Sequence, residues 1–253
     1  MVQGRWAQLT EPAAIHLEQG RGKCQARNLC TRGCPYGDYS SSVSSTLPWA
    51  HKTGNLMVRS DSVVHSIIYD DTKGKATGVR VVDAHTKEMV EYYARVIFVN
   101  AACLNSNLIL LNSVSHRFPN GFGNDNGLLG KYMAFHNYRG FLHSTIEGFE
   151  DHYYYGRNPS QPMIANYRNL HKQDTDYLGG FMTFVGAGRM PVSDADLSVK
   201  VGEAYKNALT EPGPWEVTMF IQGETIPEEK NHVRLSLDKK DPWGIPQLIT
   251  SVG

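Results

Sequence analysis

The sequence lacks the features that mark nucleic-acid-binding, membrane-spanning and secreted proteins. Lysine and arginine number 25 against 25 aspartate and glutamate residues, without a basic block, so we expect no nucleic-acid partner. The longest apolar run, Val96–Leu111, is broken by three asparagines and is too short and too polar for a transmembrane segment. The residues after Met1 do not resemble a signal peptide. We therefore expect a soluble protein, cytoplasmic or periplasmic, and the sequence assigns neither compartment.

Motifs of several common enzyme classes are also missing. The chain contains neither H-E-x-x-H nor G-x-S-x-G, so metalloprotease and hydrolase functions lack support. The first 23 residues contain no strand followed by the G-x-G-x-x-G turn that binds dinucleotides. Four cysteines, three of them clustered, differ from the pattern of a disulfide-rich secreted scaffold.

The first half of the chain predicts a β-meander followed by a strand and a helix. Stretches rich in β-branched residues and separated by turn residues predict strands over Asn55–Val58, Ser62–Tyr69, Ala76–Val82 and Met89–Tyr93. The continuous apolar run Arg95–Asn100 is typical of a strand buried on both faces. Leucines 104, 108 and 111 then show helical spacing, so we predict a helix that ends near residue 113.

Two interpretations of the small residues Ala101 and Ala102, between that strand and helix, remain open. Such a junction can bring the backbone amides of a helix N-terminus against a phosphate or a cofactor. Alternatively, the two alanines permit close packing of strand against helix. We expect Cys103, which follows them, to be a buried small hydrophobic residue.

The second half predicts an antiparallel sheet with one flanking long helix, so the fold class is α+β. The amphipathic helix is predicted over Leu197–Leu209. Strands are predicted over Phe141–Ile146, Met163–Tyr167, Phe181–Val185, Trp215–Gln222 and His232–Leu237. The glycine- and asparagine-rich loop 116–130 places a domain boundary near residue 130.

Three cysteines, Cys24, Cys30 and Cys34, fall within eleven residues in a C-x5-C-x3-C-P pattern. Clustered thiols suggest either a metal or cluster site or a backbone shaped around a cofactor, and the spacing alone does not decide between them.

Several separated motifs together resemble the glucose–methanol–choline (GMC) family of flavin oxidoreductases. They cover roughly residues 18–250, and their order and spacing make the resemblance specific. The motifs are N-L-M-V-R-S-D-S-V-V-H-S-I (55–67), A-R-V-I-F-V-N-A-A-C-L-N-S-N-L-I-L-L-N-S (94–113), the loop and histidine of 118–136, G-E (223–224), N-H-V-R-L (231–235) and D-P-W-G-I-P (241–246). Three positions depart from the family pattern: Ala102 replaces a usual glycine, Asn107 a frequent proline, and Phe135 the aspartate before the loop histidine.

The resemblance implies FAD as cofactor and assigns roles to parts of the chain. Residues 1–130 would be part of an FAD-binding α/β domain with the β-meander, and 131–253 the antiparallel-sheet substrate domain. The implied FAD contacts are Val64, Asn100, Ala101, Ala102, Ser42 and Ser45. The implied activity is oxidation of an alcohol CH–OH group on a sugar, glycoside or polyol, with hydride transfer to flavin.

The family's dinucleotide-binding turn and its catalytic His/Asn pair have no counterpart in these 253 residues. We therefore expect an internal portion of a longer enzyme that alone neither binds FAD tightly nor turns over. The catalytic residue is unassigned. His136 is the best-placed histidine, and a histidine satisfied by hydrogen bonds where two domains meet is the alternative.

The cysteine spacing resembles that of family members among bacterial sugar dehydrogenases that carry a three-iron cluster. In that interpretation Cys24, Cys30 and Cys34 hold the cluster, which passes electrons to an external acceptor protein. Structural thiols, or a disulfide plus a spare thiol, are the alternatives. Two other functions also stay open, a non-catalytic carbohydrate-binding module that uses the aromatics of 138–155 and a small iron–sulfur electron-transfer protein.

Overall fold

The computed structural model describes residues 2–3, 8–26, 33–149, 162–191, 201–210 and 212–252. The helices are α1 (Ala14–Glu18), α2 (Thr46–Lys52), α3 (Ala102–Asn112) and α4 (Gly202–Ala208). The strands are β1 (Val2–Gln3), β2 (Ser62–Asp70), β3 (Lys75–Asp83), β4 (Met89–Tyr93), β5 (His136–Ile146), β6 (Pro162–Ile164), β7 (Phe181–Pro191), β8 (Pro212–Glu224), β9 (His232–Lys240) and β10 (Pro246–Ser251). The predicted α+β class with antiparallel sheets is confirmed.

The chain forms two compact units, each assembled from two separate segments. Unit 1 combines Met1–Met57 with His136–Glu224, and unit 2 combines Val58–Phe135 with Thr225–Gly253. The functional roles predicted for 1–130 and 131–253 concern cofactor and substrate binding, and they stay predictions.

Unit 2 contains the predicted meander as a three-stranded antiparallel sheet in the order β2-β3-β4. The strands form where β-branched residues are dense, and Gly74, at φ +63°, closes the turn between β2 and β3. Helix α3 contacts β2 and the β9–β10 hairpin. The predicted helix and the strands of the meander are therefore confirmed, whereas β10 was not predicted.

The core of unit 2 lies between α3, the meander and the hairpin. Its buried hydrophobic side chains are Ile67, Val81, Val82, Ile109, Met133, Val233 and Ile245. Burial of each such side chain contributes about 1.5–3 kcal/mol. This packing fixes α3 relative to the sheet.

Three predictions are wrong: the strands over 55–58 and 95–100, and the burial of Cys103. Residues 55–58 and 95–100 form no strand, and the side chains of Met57 and Phe98 are 90% and 80% exposed. Both sequences favour extended backbone, but a strand also needs a partner, and none of the described strands pairs with either segment. Cys103 is exposed instead of buried because it lies in the first turn of α3, whose buried residue is Ile109.

Unit 1 is built on a five-stranded antiparallel sheet in the order β1-β6-β7-β8-β5. The four longer strands confirm the strands predicted around 141–146, 163–167, 181–185 and 215–222. None of the described hydrophobic side chains of unit 1 is among the buried ones. The sheet therefore presents apolar surface to its surroundings.

The helices of unit 1 match the sequence less well. Helix α4 confirms part of the predicted helix 197–209, whose first residues lie outside the described ranges. Helices α1 and α2 were not predicted. Helix α2 begins within the small polar stretch that follows the cysteines and includes Pro48 in its first turn, where a proline costs no intrahelical hydrogen bond.

Candidate functional site

The start of α3 has an exposed, uncapped N-terminus. Ala101 is the N-cap residue, with φ −95° and ψ 26°, and no side chain among the described residues caps the helix. Alanine lacks a side-chain acceptor, so the first N–H groups of the helix are left for water or a ligand. The partial positive charge of a helix N-terminus favours an anionic group such as a phosphate.

The backbone at Ala102 is left-handed, with φ +57°. This is the position at which the resemblance expects glycine. A left-handed conformation costs a non-glycine residue roughly 1–2 kcal/mol, and such costs concentrate at functional sites. Asn100, the third predicted FAD contact of this segment, is exposed immediately before the turn.

The other end of helix α3 is joined to β2 by a hydrogen bond at Ser113. The Ser113 hydroxyl accepts a hydrogen bond from Ile67 N–H at 2.7 Å and donates one to the Ile109 carbonyl at 2.6 Å. Near the start of the helix, the Asn107 side chain donates to the Cys103 carbonyl at 2.9 Å. The position of the Ala101–Ala102 turn is therefore set by a well-fixed helix.

Val64 lies in β2, opposite Val81 of β3. Because β2 is an edge strand of its sheet, one side of its backbone has no strand partner among the described residues. An open edge is what a backbone contact between Val64 and a ligand requires. The pairing register shifts between Val64 and Ser66, so the strand is irregular at His65.

Among the described histidines, His65 is the one whose pKa is clearly shifted. Partial burial lowers the pKa of the imidazole, and the nearby positive charge of Arg80 lowers it further, against an opposing influence of Asp241. Its Nδ1 lies 3.0 Å from the Ser66 hydroxyl. The neutral imidazole is therefore favoured beside Val64.

Ser42 and Ser45, in unit 1, belong to a hydrogen-bonded turn that leads into α2. The Ser45 hydroxyl donates to the Ser41 carbonyl at 2.5 Å, and Ser42 is exposed. One turn into α2, Trp49 carries a buried indole N–H with no acceptor in the part of the chain that the structure describes. A buried unpaired donor is unusual and marks a place where a ligand can supply the acceptor.

Two of the three clustered cysteines lie in a compact loop assembly. The Cys24 N–H donates to the Leu9 carbonyl at 2.8 Å, and the Cys34 thiol donates to the Asp38 carboxylate. Arg21, only 5% exposed, donates through Nε to the Gly37 carbonyl at 2.9 Å. These bonds tie the loops on both sides of the cysteine cluster together.

Cys30 lies outside the described residues, so the predicted three-thiol set is only partly visible. Within the described ranges, no group of three histidine, cysteine, aspartate or glutamate side chains is placed to hold a metal ion. As a ligand, Cys34 would be a thiolate and would have to give up its hydrogen bond to Asp38, which is 3% exposed. The cluster remains a prediction.

His136 is the first residue of β5, in register with Glu224 of β8. Its ring centroid lies 6.0 Å from that of Tyr138. The sequence did not single out a second histidine of the same strand, His143, whose Nε2 lies 3.0 Å from a carboxylate oxygen of Glu216. The alternation of residues along a strand does not tell which residues of β5 and β8 lie opposite one another, so the sequence could not predict the contact between His143 and Glu216.

Comparisons with known proteins agree with the sequence motifs. A family model described as GMC oxidoreductase matches residues 11–137. The chain is 27% identical over 225 residues to a 2-methyl-1,2-propanediol dehydrogenase from Mycolicibacterium austroafricanum, covering 85% of the chain and 39% of the relative. It is 25% identical over 237 residues to the fructose dehydrogenase large subunit of Gluconobacter japonicus, covering 90% of the chain and 41% of that relative.

The chain thus spans about two fifths of the length of the curated relatives it matches. Among the described helices, none combines the length and the apolar character needed to cross a bilayer.

Proposed function

Because the chain belongs to the GMC oxidoreductase family, we propose that it is part of an FAD-dependent dehydrogenase that oxidises an alcohol CH–OH group. The substrate we propose is a sugar, glycoside or polyol. The main support is the family match over residues 11–137, which includes the uncapped start of α3. The names of the two relatives, a diol dehydrogenase and a fructose dehydrogenase, agree with an alcohol substrate.

The residues of unit 2 fit FAD. The turn at Ala101 and Ala102 offers helix N–H groups that no side chain of the described residues caps, and it carries no bulky side chain. Both features suit an anionic group or a close approach of the cofactor. The open edge of β2 allows a backbone contact from Val64. We propose that Val64, Asn100, Ala101 and Ala102 bind and orient the cofactor, which supplies the hydride acceptor when bound.

In unit 1, we propose Ser42 and Ser45 as further FAD contacts. The buried indole N–H of Trp49 in the helix that follows supports a ligand near this segment, since it has no acceptor within the described ranges. His136 is our candidate for the residue that accepts the alcohol proton. Its exposure and its position at the first residue of β5 leave the ring accessible to a substrate.

We propose that the 253-residue chain is one portion of the enzyme, in keeping with its coverage of 39% and 41% of its two relatives. The purified chain alone is then expected to carry no flavin and to be inactive with alcohols. A flavin absorbance band in that preparation would contradict this part of the proposal.

We also propose that Cys24, Cys30 and Cys34 hold an iron–sulfur cluster that transfers electrons to an acceptor protein. The close spacing of the three thiols and their resemblance to cluster-bearing family members support this assignment. Iron and acid-labile sulfide analysis after anaerobic purification tests it. Iron-free protein, or unchanged iron in a Cys34→Ser variant, would contradict it.

The proposed activity is tested on the longest natural polypeptide that contains residues 1–253. Anaerobic addition of a sugar or a diol should bleach the absorbance of the oxidised flavin, and an artificial electron acceptor should restore it. An Ala102→Leu variant, which places a bulky side chain at the α3 turn, should lose flavin while Leu237→Ala, on an exposed strand position, keeps it. Flavin that no alcohol bleaches would overturn the proposal.

A further inference from the structure

One face of the five-stranded sheet carries a row of aromatic side chains. Phe141 of β5, Phe220 of β8 and Phe184 of β7 lie directly opposite one another in the pairing register. Directly opposite residues of antiparallel strands point to the same face. The rings of Phe184 and Phe220 are stacked, with centroids 5.0 Å apart and an interplanar angle of 15°.

A shift in the strand pairing adds a fourth ring to this row. The register of β5 against β8 shifts between Asn137 and Gly140, and the ring of Tyr138 lies 6.2 Å from that of Phe220. Tyr138 and Phe141 are 57% and 66% exposed. We refer to Tyr138, Phe141, Phe184 and Phe220 as the aromatic face.

Polar groups border the aromatic face along the same strands. His143 and Glu216, joined by the 3.0 Å contact described above, lie on this side of the sheet, and Thr218 is the residue opposite His143. On β7, Gly186 and Gly188 stand opposite Thr218 and Glu216. Since glycines have no side chains, β7 contributes no side chain beside these polar groups.

The opposite side of the same strands has a different character. There the residues in register are Leu142, Met219 and Val185, all aliphatic or thioether side chains. Leu142 is 52% exposed, close to the exposure of its neighbour Phe141. The combination of flat rings with a bordering carboxylate and imidazole therefore belongs to one face.

We propose that the aromatic face binds a sugar in its ring form, as the substrate subsite of the function proposed above, on which this inference rests. The C–H face of a pyranose matches the exposed rings of Tyr138 and Phe141. Its hydroxyl groups match the carboxylate of Glu216, the imidazole of His143 and the hydroxyl of Thr218. An open-chain polyol has no flat C–H face, so the subsite selects cyclic sugars.

Saturation-transfer NMR with methyl β-D-glucopyranoside tests this assignment. The axial protons H1, H3 and H5 form one face of this sugar, and stacking predicts that they receive the strongest saturation. Glycerol, an acyclic polyol, should receive little. The measurement is made on the polypeptide used for the flavin experiments and does not depend on turnover.

Neighbouring residues of β5 provide a matched pair of variants. Phe141→Ala and Leu142→Ala remove exposed side chains from opposite faces of one strand, and both should fold because neither residue is buried. Phe141→Ala should weaken pyranoside binding roughly threefold to tenfold, and Leu142→Ala should leave it unchanged. Glu216→Gln should also weaken binding, and Tyr138→Ala is the second test of the rings.

Three results would overturn the proposal. They are no saturation transfer, equal losses of pyranoside binding in Phe141→Ala and Leu142→Ala, and binding of glycerol as strong as that of the pyranoside. A failure of the sugar subsite can be distinguished from a failure of the proposed dehydrogenase activity. Flavin bleaching by alcohols without pyranoside binding would remove the subsite and retain the dehydrogenase. Pyranoside binding that depends on Phe141, in a protein whose flavin no alcohol bleaches, would retain the subsite alone.

Discussion

The hydroxyl of Ser113 joins the end of α3 to β2 by accepting a 2.7 Å hydrogen bond from the backbone N–H of Ile67. Ser113 is 3% exposed, and Ile67 is 5% exposed. Because β2 is an edge strand, this serine takes the place of a strand partner for that N–H. The same contact fixes the helix whose other end forms the proposed FAD turn.

We expect Ser113→Ala to lower the free energy of unfolding by about 1–3 kcal/mol, because the buried Ile67 N–H loses its acceptor. Urea denaturation followed by circular dichroism measures the change. Ser60→Ala removes an exposed serine hydroxyl that donates to Asp61, and it should change stability by a few tenths of a kcal/mol. Equal stabilities of the two variants would show that the Ser113 contact contributes nothing.

A second prediction concerns Gly130, where the chain passes close to β9. Its φ is +84°, and a Cβ at this position would lie 2.4 Å from the Val233 carbonyl oxygen. The Gly130 carbonyl itself accepts a 2.7 Å hydrogen bond from Val233 N–H, so the backbones cannot separate without losing it. Gly130→Ala should therefore destabilise the protein strongly.

Gly127 is a matched control for Gly130. It also has a positive φ, +68°, but a Cβ there would meet nothing within 4 Å. Both alanine variants share a backbone cost of roughly 1–2 kcal/mol. The difference between their urea midpoints therefore measures the effect of the close approach to Val233. We expect Gly130→Ala to be less stable by roughly a further 1–3 kcal/mol, and equal midpoints would contradict the prediction.

The sequence predicted the strands and the helix that are determined by local sequence patterns. Strands β2 to β4 follow from dense β-branched residues and polar turns, and α3 follows from its leucine spacing. The apolar run Arg95–Asn100 was misjudged because apolar content indicates burial without saying which strand supplies the partner. In the described structure no strand does, and Phe98 is exposed.

The candidate sites depend on information that a sequence pattern does not carry. The family motif located the Ala101–Ala102 turn, but the left-handed backbone of Ala102 appears only in the structure. The aromatic face depends on the register between three strands and on a register shift near Arg139. A one-residue change in register would place Phe141 on the other side of the sheet.

A third prediction concerns pH and His65. Its pKa is lowered in the folded protein, so the unfolded chain binds the proton more readily. The stability that follows from the neutral imidazole is therefore fully present above about pH 6.5, the ordinary value for histidine, and is lost as the pH falls below it. Partial burial of the imidazole is the main cause of the lowered pKa, repulsion by Arg80 adds to it, and attraction by Asp241 opposes it.

We expect His65→Gln to reduce the acid-side slope of the unfolding free energy against pH, measured by urea denaturation between neutral and mildly acidic pH. His171→Gln, in an exposed loop, serves as the matched control and should retain the slope of the unmodified protein. If His65→Gln shows an unchanged slope, protonation of this histidine does not contribute to acid destabilisation.

The last prediction concerns the left-handed Ala102 at the start of α3. Glycine adopts φ +57° without steric cost, although it adds freedom to the unfolded chain, so Ala102→Gly should raise the free energy of unfolding by up to about 1 kcal/mol. Ala101→Gly, at φ −95°, relieves no such strain, and the preference for glycine over alanine at an N-cap offsets its greater freedom in the unfolded chain, so it should change stability little. Urea denaturation of both variants compares the two changes. A destabilised Ala102→Gly would mean that the alanine methyl group makes packing contacts worth more than the strain, and the turn would then be shaped for packing alone instead of for close approach of a cofactor.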